Sequence, residues 1–248
     1  MPVPSGWIAV LVFVAALLLL DCTGVSAQQP TDQPSPRVFR SSRDPRPDIV
    51  GALVDSLKLL GIEHGVRIAT EEKTRRALEG PFWADYVHSV RRPAQWDDSD
   101  NWLVNYIGHP LHGAAAGYIW IDHDPRSQRE EFGLNPSYWA TRWRSIAWST
   151  GYSLQFEIGP LSEASIGNVG LDPKTTGWVD YVVTPIGGFA ILVAEDALDR
   201  YFVKWVEART TNRVFRASLR LIFNPSRTFA NLSMGKQPWY RDTRLLSW

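Results

Sequence analysis

Residues 101–121 read NWLVNYIGHPLHGAAAGYIWI and contain no Asp, Glu, Lys or Arg. A run of this length could cross a bilayer. Asn105, His109, Pro110 and His112 sit at its centre, however, where a conventional span does not carry them. The run therefore reads as a helix buried in protein or lying in a membrane interface. Gly113 and Gly117 frame three alanines, and Gly187-Gly188 is followed by Ala190. Glycine inside a helix costs about 0.5–1 kcal/mol relative to alanine, so its use here points to backbones that another helix approaches closely. Gly113, Gly117, Gly187 and Gly188 are the expected packing points, in a soluble bundle rather than in lipid.

Outward from this stretch, helical signals dominate. Ile49, Val50, Leu53, Leu57 and Leu60 follow the spacing of an amphipathic helix that Gly61 would end. Further helices are expected at 66–78 and 81–90. Asp97, Asp98, Ser99, Asp100 and Asn101 lack the Gly and terminal Glu of a calcium loop and read as a helix cap. A capping residue followed by proline marks four helix starts, at His109-Pro110, Asn135-Pro136, Thr184-Pro185 and Asn224-Pro225. Tyr118–Ile121 and Val182–Thr184 also suit strands. The fold class is mainly α, a single compact helical domain over 48–248 with glycine-packed helices.

Ahead of it, residues 7–20 (WIAVLVFVAALLLL) have the length of a signal-peptide core, and Val25-Ser26-Ala27 fits a cleavage site. Residues 1–27 are thus expected to be an export signal, with 28–47, rich in Pro, Gln, Ser and Arg, as a flexible linker. An uncleaved anchor and lipidation of Cys22 are the alternatives, although Asp21 stands where a lipoprotein box needs a small residue. Cys22 is the one cysteine, so neither a disulfide nor a multi-cysteine zinc site is available.

The chain has 26 basic and 26 acidic residues, which argues against a nucleic-acid binder built on bulk charge. The balance is uneven, with nine Lys or Arg against two acids in residues 201–248. Arg209, Arg213, Arg216 and Arg220 fall on one helical stripe suited to an anionic membrane surface, a partner expected alongside other envelope proteins. A basic face that merely balances acids elsewhere is equally open. The 12 tryptophans ask for either a large aromatic core or contact with an amphipathic surface.

His109 and His112 are the only close histidine pair, and Glu157 and Asp180 are isolated carboxylates among apolar or small neighbours. Charges in such surroundings are normally paired, and His109 with Glu157 or Asp180 is the natural pairing. The candidate catalytic residues are His109, Glu157 and Asp180, and His112 joins them as a candidate metal ligand. A buried polar network without chemistry is the competing reading. No cofactor is expected apart from an optional divalent metal. Nucleophile-elbow, phosphate-loop, dinucleotide and zinc-protease motifs are absent.

NYIGHPLHG (105–113), Phe156-Glu157, DYVVTPIGG (180–188) and FNPSR (223–227) resemble the successive motifs of the domain of unknown function 3943 family of bacterial envelope proteins. The similarity covers 98–235, with Gln155-Phe156-Glu157 and Trp178-Val179-Asp180 departing from the family's usual segments. The resemblance implies an exported, periplasmic, outer-membrane-associated protein without an established activity. The expected function is a structural or membrane-interaction role. The alternative is a metal-dependent hydrolase acting on a lipid or cell-wall substrate.

Overall fold

The computed structural model describes residues 46–70, 72–91, 95–98, 100–166 and 177–246. The expected signal peptide, Cys22 and nearly all of the linker lie outside them. Nine α-helices occur among the described residues: α1 (Ile49–Thr70), α2 (Glu72–Ala77), α3 (Phe82–Val90), α4 (His109–His123), α5 (Pro136–Ile158), α6 (Val179–Leu198), α7 (Lys204–Glu207), α8 (Arg213–Phe223) and α9 (Pro225–Ser233). One-turn π segments, Val104–Gly108 and Asp199–Val203, lead into α4 and join α6 to α7. Among the described residues there is no strand, only an isolated bridge between Gln95 and Gly177.

Helix α4 is the axis, and α5, α6, α9 and α1 pack around it. Its small residues make this possible. Gly113 through Ile119 are all buried, and a Cβ on Gly188 would lie 2.8 Å from the backbone nitrogen of Ala114. One on Gly187 would meet the Pro110 ring at 2.8 Å, and one on Gly117 would meet Leu192 at 2.7 Å. Gly113 faces the Thr184 carbonyl directly. All four expected packing glycines are thus at helix contacts. Helices α4 and α6 run parallel, and α5 is antiparallel to both: Asp180 lies near His109 and Glu157, whereas Asp196 meets Tyr118 and Tyr138.

Several local expectations are corrected. Asp48 precedes α1 and its side chain accepts the Gly51 N–H at 2.9 Å, but the helix does not stop at Gly61. Gly61 and Gly65 face open space and simply continue the helix to Thr70, so the expected 66–78 helix is divided between α1 and α2. Asn135 caps α5 as its sequence implies, accepting the Tyr138 N–H at 2.7 Å ahead of Pro136. His109-Pro110 instead continues a helical turn, because Gly108 is already helical. Thr184-Pro185 lies inside α6, where the proline gives up one backbone bond while the buried pair packs on α4. Tyr118–Ile121 and Val182–Thr184 are helical.

The arginine stripe is not one surface. Arg209 lies in the turn after α7, with its guanidinium 3.7 Å above the Trp205 ring. Arg213 is exposed at the start of α8 and Arg216 is half-buried. Arg220 is 0% exposed and gives Nε and Nη2 to Glu207 at 2.5 and 3.1 Å, with further bonds to the carbonyls of Trp239 and Arg244. The reason is the chain reversal between α7 and α8, which turns the last arginines of the stripe inward against Glu207. Only Arg209 and Arg213 remain available to an anionic surface.

Candidate metal centre

Asp180 is the second residue of α6, where the helix dipole favours negative charge. The first backbone N–H groups here are taken by an extended segment, Trp178 N–H by Gln95 and Val179 N–H by Trp96, at 2.9 and 3.0 Å. Gly177 permits this approach, since a Cβ there would lie 2.7 Å from the Asp97–Asp98 backbone. The same pairing carries Asp98 to Asp180. His109 opens α4 after the π turn, and Glu157 ends α5 as its next-to-last residue.

These elements bring three ligand atoms within 4.8 Å of one another. His109 Nδ1 lies 3.9 Å from Glu157 Oε1, and His109 Nε2 lies 3.7 Å from Asp180 Oδ1. Neither separation is a hydrogen bond. All three side chains are at most 8% exposed, and both facing carboxylate oxygens are buried without a hydrogen-bond partner. Phe156 closes one side, its ring 6.1 Å edge-on from the imidazole.

Asp98 stands behind the trio. It accepts from Asn105 Nδ2 at 2.6 Å and from the Asp100 N–H at 3.0 Å, and the Asp180 carboxyl donates to it. Burial opposes its ionisation, but these donors outweigh burial and hold Asp98 below the ordinary carboxylate value. Two carboxylates beside an imidazole in a water-poor interior need a proton or a cation between them. An imidazole nitrogen with two carboxylate oxygens is a donor set that suits zinc, manganese or iron. The unpartnered oxygens are what such an ion would fill.

His112 does not join this group. Three residues along the helix from His109, its Nδ1 points to Glu63 of α1 at 2.9 Å, and Tyr152 donates to the same carboxylate at 2.8 Å. Asp98 and Asn105 are the site residues that sequence reasoning missed. Asp98 stood within an acidic cluster read as a cap, and only the bridge to Gly177 reveals its partner.

A second polar node occupies the far end of the bundle. Asp196 accepts from Arg142 Nε at 2.8 Å, Tyr138 at 3.0 Å and Tyr118 at 3.1 Å. Glu195 accepts the Ser226 and Arg227 N–H groups at the start of α9, at 2.9 and 3.3 Å. A cavity of about 40 Å³ beside it is lined by Asp196, Asp199, Arg227 and Arg241, among others. Carboxylates and guanidinium groups face one another here, Arg241 Nε lying 3.5 Å from Asp199 Oδ1, and among the described residues it presents no ligand set comparable to His109, Glu157 and Asp180.

Compared with known proteins, the chain matches no family model, no curated protein and no solved structure.

Proposed function

We propose that the chain is an envelope protein with a structural, membrane-associated role, in which His109, Glu157 and Asp180 hold a divalent cation that ties α4, α5 and α6 together. The observation that carries this reading is the convergence of three buried ligand atoms, two of them otherwise unpartnered. Near-complete burial favours a tie over a site for substrate. The envelope setting comes from the sequence, through the apolar run at 7–20, the cleavage pattern at Ala27 and the resemblance of 98–235.

One observation favours a second reading, the metal-dependent hydrolase. Three protein ligands, His109, Glu157 and Asp180, leave a coordination position for water. Lipid and cell-wall esters are the substrates to try first.

The test is metal analysis of the purified chain with His109→Ala and Glu157→Ala. Near-stoichiometric metal in the parent, lost in both variants, is the expected result. A metal-free parent whose variants merely unfold would leave a polar network and end the metal reading. Chelation that lowers the melting temperature without abolishing any turnover supports the tie, and metal-dependent ester hydrolysis supports the second reading.

A further inference from the structure

The burial pattern of this protein is inverted. Among the described residues, thirty polar or charged side chains are buried against twenty apolar ones, whereas the outer faces of the long helices are apolar. Helix α5 turns Thr141, Arg142, Ser145, Ser149, Ser153 and Glu157 inward. Its exposed positions are largely Ala140, Trp143, Ala147, Gly151 and Leu154. Helix α6 does the same, with Asp180, Thr184, Glu195 and Asp196 inside and Val182, Ile186, Ala190, Ala194 and Leu198 outside. On α1 the exposed face runs through Val50, Leu53, Val54, Leu57 and Gly61, and its one cation there, Lys58, pairs with Asp55 at 2.7 Å.

These faces adjoin. Helix α5 packs on α6 and touches α1 through Trp148 to Ser56 and Tyr152 to Glu63, so the three form an arc around α4. In water each exposed Leu, Ile or Val forgoes about 1.5–3 kcal/mol of burial. The arc, not a single flat patch, is what a surrounding solvent covers and a second copy of the chain does not. Its dimensions fit lipid. Helices of 22, 23 and 20 residues span about 30–34 Å at 1.5 Å per residue, close to the hydrocarbon thickness of a bilayer. Val179–Glu207 is by itself long and apolar enough to cross, and only 33% of its most apolar window is buried in the protein.

The ends carry interfacial residues. Trp96, Trp102, Tyr106 and Trp178 are exposed around the start of α6, and Tyr201 and Trp205 near its far end. Arg209 and Arg213 follow there, and α8 beside them exposes Val214, Phe215 and Ile222. Aromatic rings at both levels and cations at one are how a bundle is seated between two interfaces. Small-residue contacts and inward hydroxyls are how helices associate in lipid.

We propose that α1, α5 and α6 face the acyl chains of a bilayer, so that the protein is embedded in the membrane and not docked on its surface. This reading is independent of the metal centre. The test uses the full chain reconstituted in phosphatidylcholine vesicles brominated at mid-chain, which quench only tryptophans within the hydrocarbon. Trp143, on the exposed face of α5 about a third of the way along the helix, is the reporter. Quenching in the parent that is partly lost in Trp143→Phe, with retention in the pellet through high salt and alkaline carbonate, is the expected result. Quenching that Trp143→Phe leaves unchanged would overturn the proposal, even if residues 7–20 anchor the chain. Release by carbonate, or a monodisperse monomer or dimer in detergent-free buffer, would overturn it equally.

Discussion

His109 Nε2 stands 3.7 Å from Asp180 Oδ1, across the interface where Gly188 of α6 meets the Gly113–Ala114 backbone of α4. The polar centre and the glycine contact are therefore one device. Close approach of the two helices sets the distance between ligands that are 71 positions apart in the chain.

Asp98 supports the centre without belonging to the trio, since it receives the Asp180 carboxyl and is itself held by Asn105. Partners of this kind are worth about 10–100-fold in metal affinity. Asp98→Asn is expected to weaken divalent-metal binding by about that factor while retaining one site, and His109→Ala to abolish it. Competition titration against a chromogenic chelator checks both. Unaltered affinity in Asp98→Asn would remove Asp98 from the centre.

The helix contact makes its own prediction. A methyl at Gly188 runs into backbone, which cannot swing aside as a side chain can, and overpacking of this kind costs about 1–3 kcal/mol. Gly188→Ala and Gly113→Ala should lower the melting temperature. Gly61→Ala and Gly65→Ala, in open helical positions, should raise stability by about 0.5–1 kcal/mol each. Thermal unfolding of the four variants in the same detergent decides it, and a uniform sign across them would refute the packing argument.

Arg220 and Arg213 separate structure from surface within what looked like one stripe. Removing one partner of a buried pair costs about 3–5 kcal/mol where the other charge is stranded; Glu207 keeps Arg244 at 2.7 Å, so the loss falls toward the lower end and comes also from the carbonyls of Trp239 and Arg244 left without their donor. Arg220→Met should therefore unfold far more readily than Arg213→Ala, which touches solvent and should stay within about 0.5 kcal/mol of the parent. Denaturant midpoints give the comparison, and equal effects would contradict the burial of Arg220.

Helix content, the packing glycines and the candidacy of His109, Glu157 and Asp180 for a shared centre were legible because each is announced locally. A Gly-Ala run, a capped proline or a carboxylate among apolar residues announces its constraint within a few positions. The destination of the arginines was not legible, since it depends on how sharply the chain turns between Glu207 and Arg213. Helix α5 shows the same limit. Its serines at 145, 149 and 153 mark one face clearly, but period alone does not say whether the polar face looks toward water or toward the bundle. Thr184-Pro185 shows the limit of cap chemistry, because tertiary packing on α4 kept the helix running through it.

The acid limb of stability carries the signature of Asp98. Its carboxyl is held below the ordinary 3.8 by donors that outweigh the opposing effect of burial. A group whose folded value is depressed stabilises the fold above its unfolded value, and that contribution is lost as pH falls through the folded one. In metal-free protein, the parent should therefore exceed Asp98→Asn in melting temperature at neutral pH, with the gap constant down to about pH 5. Below 3.8 the gap should narrow steadily, as the unfolded chain takes up its proton first and the native carboxylate follows at lower pH. Melting curves collected from pH 7 to pH 2.5 on both proteins, about half a unit apart, trace this difference. A gap that stays flat to the lowest pH would mean that Asp98 is not held ionised by Asp180 and Asn105, and one that widens would mean that its carboxyl titrates above the ordinary value.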